Sequence, residues 1–374
     1  MPSRRRPGLL SGLLACLLLC LLPLLHAVAA RAQSKELNVF NWTDYVDPKA
    51  IERFEKETGI KVHYDTFDSL ETLEAKMLAG HSGYDIIVPT SQPTFSRLVR
   101  TGALAPLDKS KLPNLKNLDP ALMARVVPAD PGNAHGAIYL WGSTGMGMIA
   151  DRVRKLAPDA PLDSWDLLFK LENAKRIASC GITMMDSATD VIPSVLHYLG
   201  HSPDSTSPED LADVERALMR IRPFIRNFAS GGALEQLASG QTCLVFDYSG
   251  DVIQAAARAR EAKNGLDVTY VAPKQGAQVA FDMLAIPADA PHPDAALAFI
   301  NFVLQPDVMA GITNTTRYPN AVPASKAMIE PDILHDPSIY PTEAQMASFF
   351  TIGPVPQSAE RPRSRMWARF KAGH

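Results

Sequence analysis

A two-lobe α/β fold, each lobe a mostly parallel sheet flanked by helices, is what this chain predicts on three observations. Strands and helices alternate along it, its length exceeds what one hydrophobic core supports, and polar clusters of rings and acids recur where strands end. Leu37-Asn38-Val39-Phe40 reads as the first strand. A helix follows from Pro48, placed in its first turn, to Thr58, with Gly59 as its left-handed cap. Lys61-Val62-His63-Tyr64 is a second strand, Leu70–Ala79 an amphipathic helix, and Tyr84–Pro89 an apolar strand ending in a turn. That βαβαβ run dictates parallel strands with helices on both faces. Farther on, Gly181–Met185, Thr242–Phe246, Val268–Val271 and Phe281–Ile286 read as strands. A region opening at Trp165–Leu171, then Val191–Leu199, 209–222, 233–239, a run to Ala262, and Pro293–Leu304 read as helices.

Residues 1–32 read as an export leader. Arg4, Arg5 and Arg6 form the basic start, a leucine-rich stretch runs from Leu9 to Ala30, and Ala30-Arg31-Ala32 supplies a small-x-small cleavage site. The stretch is also long enough to span a bilayer, so an uncleaved anchor is the competing reading. Leu13-Leu14-Ala15-Cys16 is a loose lipoprotein box stranded inside the apolar run, and Ser3-Arg4-Arg5 is a twin-arginine fragment broken by Pro7-Gly8. Cleavage after Sec export, and hence a bacterial periplasm, is the expectation. Losing four arginines and no acids takes the formal charge from −3 to −7 and leaves 342 of the 374 residues. No basic run follows residue 33, so nucleic acid is not an expected partner. Cys16 and Cys20 leave with the leader. Cys180 and Cys243 remain in an oxidising compartment, as one disulfide or as two buried thiols.

In open parallel sheets ligands bind beyond the carboxyl ends of strands. There the chain sets Trp42, Thr43 and Asp44 after the first strand, and Thr90 and Ser91 after the third. Asp186 and Asp190 follow a later strand, Tyr248 and Asp251 another; Asp282 lies inside an apolar strand, with Tyr318 farther on. An indole face attracts positive charge and a neighbouring acid neutralises it. Equally, Trp42 could be a core ring and Asp44 a turn or cap residue. N-capping competes at Asp186, Asp190 and Asp251, which all precede helical runs. At Asp282 an unpaired carboxylate is too expensive to be structural filler. A slot walled by rings and tipped by acids suits a flexible aliphatic amine, whose methylenes stack while each ammonium offers three donors. Such acids stay hydrated until a cation enters, so an open site that closes on its ligand is expected.

Enzyme-like signals are weak. Gly145-Met146-Gly147-Met148-Ile149-Ala150 fits a dinucleotide fingerprint, but no acid stands about twenty residues on at a strand end. His197 and His201 lie one helical turn apart without a third ligand. No Gly-x-Ser-x-Gly or P-loop occurs. No catalytic residue, metal or cofactor is expected.

Seven segments then tie the chain to a family: FNWTDYVDP, FEKETGIKVHYDTFDS, PLDKSKLPNLKNLDP, DSWDLLF, SCG, REAKNG and AFDMLAIPADA. In order and spacing the mature chain resembles the periplasmic polyamine-binding proteins of ABC importers, most closely the putrescine-binding type. The resemblance implies a type II periplasmic-binding-protein fold with the ligand between lobes. It implies a monomer that captures a polyamine and presents it to a membrane permease by hinge closure. Putrescine is the first expectation, spermidine and agmatine the next; an amine sensor feeding a signalling pathway without transport is the alternative. Site roles fall on Trp42, Thr43, Asp44, Thr90, Asp190, Tyr248, Asp251, Asp282 and Tyr318, and Cys180 is implied to pair with Cys243. The lobes are implied to exchange chain, residues 33–140 with 281–327 forming one and 141–280 with 328–374 the other. Trp141 is expected at the crossing, away from ligand. Three departures stand out. Tyr248 replaces the family's Trp, Asp190 its Glu, and Ala280 a bulky ring. Unless Phe281 or Met283 leans in, the slot is wider beside Ala280.

Overall fold

The computed structural model describes residues 35–229 and 232–373, so the leader read over residues 1–32 lies outside the described residues. Nine strands appear among them: β1 (Glu36–Trp42), β2 (Lys61–Phe67), β3 (Ile86–Ile87), β4 (Gly136–Ile149), β5 (Ile182–Met185), β6 (Asn227–Ala229), β7 (Leu244–Tyr248), β8 (Val268–Val271) and β9 (Val279–Ala285). They run in the order β2-β1-β3-β9-β4-β7-β5-β6, with β8 also on β4.

Each side has a parallel trio, β2-β1-β3 and β7-β5-β6, as the alternation of strands and helices requires. The strands between the trios, β4 and β9, pair antiparallel with each other and with the flanking strands β7 and β3. β4 joins both halves: Gly136–Ser143 pairs with β9, and Thr144–Ile149 with β7 and β8. It escapes a period-two reading because it is buried nearly throughout. Its glycines serve close packing. A Cβ on Gly145 would lie 2.6 Å from the Val271 carbonyl oxygen, and one on Gly147 2.6 Å from Val252. The dinucleotide fingerprint is therefore strand, not a phosphate-binding turn.

Two hydrophobic cores result. Leu37, Phe54, Ile86, Phe281, Met283 and Phe299 belong to one; Met148, Trp165, Phe246, Val252 and Phe370 belong to the other. Tyr248 packs against both. Local signals hold at the first helix, Pro48–Thr58, where the Asp47 carboxylate accepts the Lys49 N–H and Gly59 takes a φ of 71°. The helix Gln357–Ala372, absent from the sequence reading, closes the second core with Met366, Trp367 and Phe370. Cys180 and Cys243, each one or two residues ahead of a strand (β5 and β7), form a disulfide.

Candidate ligand-binding site

The cleft between the two cores is lined where strands of both trios end. Asp282 shows how the local sequence builds it. In β9 the side chains alternate, so Val279, Phe281 and Met283 are buried while Ala280 and Asp282 face the cleft. Asp282 Oδ1 accepts from Thr90 Oγ1 at 2.7 Å, and Oδ2 accepts from the Tyr45 hydroxyl at 2.7 Å. Burial pushes Asp282 up to about 6; the two hydroxyls pull the other way, and the charges of Asp190 and Asp251 add to the rise.

Asp251 occupies the third position of the helix Ser249–Glu261 and accepts from the Tyr318 hydroxyl at 2.9 Å. Asp247, near the end of β7, takes only the Tyr248 N–H among the described residues, at 2.9 Å. Burial raises both carboxyls, Asp247 well above its usual range with the Asp251 charge adding to it. Asp190 lies in the first turn of the helix Ala188–Tyr198. It accepts from Ser187 Oγ at 2.5 Å, the Tyr248 hydroxyl at 2.9 Å and Gln278 Nε2 at 3.0 Å, yet burial still raises it. The Tyr248 hydroxyl thus helps to hold Asp190. Neither Asp190 nor Asp251 is an N-cap; Ser187 and Tyr248 precede the helices there.

Trp42, Tyr45, Phe67, Tyr248 and Tyr318 contribute rings. Trp42 leans on Phe67 with centroids 4.6 Å apart, and Tyr45 meets Tyr318 edge-on at 4.8 Å. Thr43 lines the rim and donates to Asp68 at 2.6 Å. Among the described residues, no Lys, Arg or His side chain lines the cleft.

Two acids from the sequence reading are neutralised by the protein itself. Asp44 does not line the cleft; in a left-handed turn (φ 55°) it reaches Arg258 of the opposite lobe at 2.8 Å, and Arg258 also pairs with Glu235. Asp186 does line it, but holds Lys371 at 2.7 Å and the Trp367 indole N–H at 2.9 Å. Ser91 is buried in the turn after Thr90. Trp141 packs on Phe281 and donates to the Asn320 carbonyl, outside the lining. His197 contacts the Gln275 carbonyl and His201 sits by Asp213, and no metal-binding group occurs among the described residues. Phe281 and Met283 are fully buried on the far face of β9, so neither covers for Ala280.

Sequence reasoning passed over Tyr45, Gln92, Asp247 and Glu71, all of which line the cleft. Tyr45 and Asp247 stood beside residues already singled out. Gln92 and Glu71 carried no signal, because only the turn after Thr90 and the helix Leu70–Leu78 bring them round.

Residues 49–342 match the family described as bacterial extracellular solute-binding protein. The chain is 45% identical over 356 residues to the putrescine-binding periplasmic protein SpuD of Pseudomonas aeruginosa, covering 94% of this chain and 97% of that one. It is 42% identical to the putrescine-binding periplasmic protein PotF of Escherichia coli, covering 91% and 93%. Its fold is similar to that of the spermidine/putrescine ABC transporter substrate-binding protein PotD of Streptococcus pneumoniae, with a TM-score of 0.75 at 27% identity over 91% of this chain and 99% of that one. An interlobe cleft, two α/β lobes and these likenesses agree: the chain belongs to the bacterial extracellular solute-binding proteins, a family of binders and not of enzymes, on the type II periplasmic-binding-protein fold.

Proposed function

We propose that this protein captures a polyamine, putrescine before spermidine or agmatine, and delivers it to the permease of an ABC importer. It works as a periplasmic monomer released from the leader 1–32. One observation carries the reading: Asp190, Asp247, Asp251 and Asp282 face a ring-lined cleft, and their donors are hydroxyls, an amide and a backbone N–H, with no cation among them. Buried carboxylates held only by neutral donors keep a large desolvation penalty that an entering ammonium relieves. Asp282 with Asp251 neutralises one ammonium, Trp42, Tyr248 and Tyr318 flank the methylenes, Asp190 lies toward the other end, and Thr43 and Thr90 border the slot. Asp44 acts at the rim, not on the ligand. The lobes are residues 33–140 with 281–327 and 141–280 with 328–374; the two cores divide near these bounds, with Trp141, Ala277, Val279 and Phe349 in the first core and Ala310 in the second. Transport is preferred to sensing because the similar solved protein is named as an ABC transporter's binding protein.

Calorimetry with putrescine, spermidine, agmatine and γ-aminobutyrate tests the reading. Exothermic one-to-one binding of at least one polyamine, with γ-aminobutyrate much weaker, is expected. Equal or absent heat for all four refutes it.

A further inference from the structure

Ala280 presents only a methyl group to the cleft, and the uncharged polar side chains of Gln92 and Thr144 line the same cleft. Thr90 bridges Asp282 in antiparallel register. Beyond Thr90 the chain turns into Ser91–Phe95, and that turn brings Gln92 into the same cleft lining as Ala280. Gln92 has extended angles (φ −132°, ψ 139°), lines the cleft and is 7% exposed. Neither its Oε1 nor its Nε2 has a hydrogen-bond partner among the described residues. Thr144 Oγ1 and Trp42 Nε1, in the same lining, are also buried without one among the described residues.

A buried amide is costly unless something pairs with it, so these atoms report on what enters. An ammonium, primary or secondary, brings donors only. It meets Gln92 Oε1 and Thr144 Oγ1, and leaves Gln92 Nε2 and Trp42 Nε1 unmet. A secondary amide brings one N–H and one carbonyl oxygen, the complement of a primary amide side chain. Because both ends of Gln92 are free, the match holds for either orientation of its amide. The acyl methyl needs apolar room, which a ring at position 280 would fill and Ala280 leaves.

We infer that the cleft takes monoacylated diamines as well as free ones, with the remaining ammonium on the cleft acids and the acyl amide paired with Gln92. The inference rests on the proposed polyamine reading and narrows its substrate class. One acyl group removes one positive charge, and the raised carboxyls accommodate this by keeping a proton.

The test is calorimetry with putrescine and N-acetylputrescine on the wild-type protein, Gln92→Leu and Ala280→Phe, each first checked for native circular dichroism and melting. The wild type is expected to bind both, and each substitution to lower the N-acetylputrescine-to-putrescine affinity ratio by roughly tenfold or more. Putrescine bound with N-acetylputrescine ignored overturns the inference and leaves the polyamine reading standing. Both bound, with the ratio unmoved in both variants, overturns the assignment of the subsite. Neither bound removes the polyamine reading and the inference with it.

Discussion

Asp282, Asp44 and Asp186 are chemically one residue type, and their partners make them three different things. Asp44 and Asp186 meet Arg258 and Lys371, so their charge is answered within the protein. Asp282 meets two hydroxyls and is pushed up to about 6, mainly by burial, against an ordinary value near 4. A carboxyl raised in the folded state binds protons more readily there, so the ligand-free folded form loses stability as pH rises from about 4 through 6. Amine binding runs the opposite way, because the ammoniums stay charged throughout this range and want the carboxylate. Affinity is therefore expected to be level above pH 7 and to fall by about tenfold per unit below 6, for this one group. Calorimetry from pH 5 to 8 measures it, and Asp282→Asn should flatten the slope while weakening binding at least tenfold at pH 8. A wild-type profile as flat as the variant's would remove Asp282 from the site. The sequence made Asp282 legible because an acid in an apolar strand has few structural excuses. It could not sort out Asp44, whose arginine stands 214 positions away.

At the scale of elements, β4, the helix Ser249–Glu261 and Tyr318 meet across the cleft, and the proposed closure rests on that contact. The Tyr318 ring lies on two glycines: a Cβ on Gly142 would come within 3.0 Å of it, and one on Gly250 would overlap it outright. Its hydroxyl then reaches Asp251 in the same helix. Gly250 has no positive φ, so the helix backbone itself tolerates alanine and the cost lies in the contact alone. Gly250→Ala is expected to lose about 1–3 kcal/mol of closure, a five- to hundred-fold weaker ligand, while the unliganded melting temperature holds or rises. Titration beside a thermal melt checks this; unchanged affinity would mean that the ring-on-glycine contact does not set the closed state. The exposed Asp44–Arg258 pair also joins the lobes, but such pairs contribute only about 0–1 kcal/mol. These contacts were not legible beforehand. The parallel trios were, because βαβ alternation and caps such as Gly59 are local. β4 was hidden, because a strand buried on both sides has no alternation and its glycines mimic another motif.

For the whole molecule, one covalent link falls on one side of the cleft. Cys243 belongs to the second core and Cys180 packs against it, 63 positions apart in sequence, and nothing comparable ties the first core among the described residues. Closing a loop of that length contributes about 4 kcal/mol in the chain-entropy account. The two cores share only the crossing strands and a few bridging side chains, so they need not melt together. Replacing both cysteines by serine is therefore expected to lower the melting of the second lobe alone and to split a single scanning-calorimetry transition into two. Asp251, Asp282, Thr90 and Tyr318 are untouched, so affinity at 25 °C should stay within a few-fold. Ligand then offers an independent check on lobe coupling. At a hundred times its dissociation constant it adds about 2.7 kcal/mol to a state that needs both lobes folded, which should draw the two transitions back toward one. If the double variant melts as the wild type does, the bridge lies outside the cooperative unit. If ligand raises only one of the two transitions, the site is held by a single lobe and the interlobe account of binding is wrong.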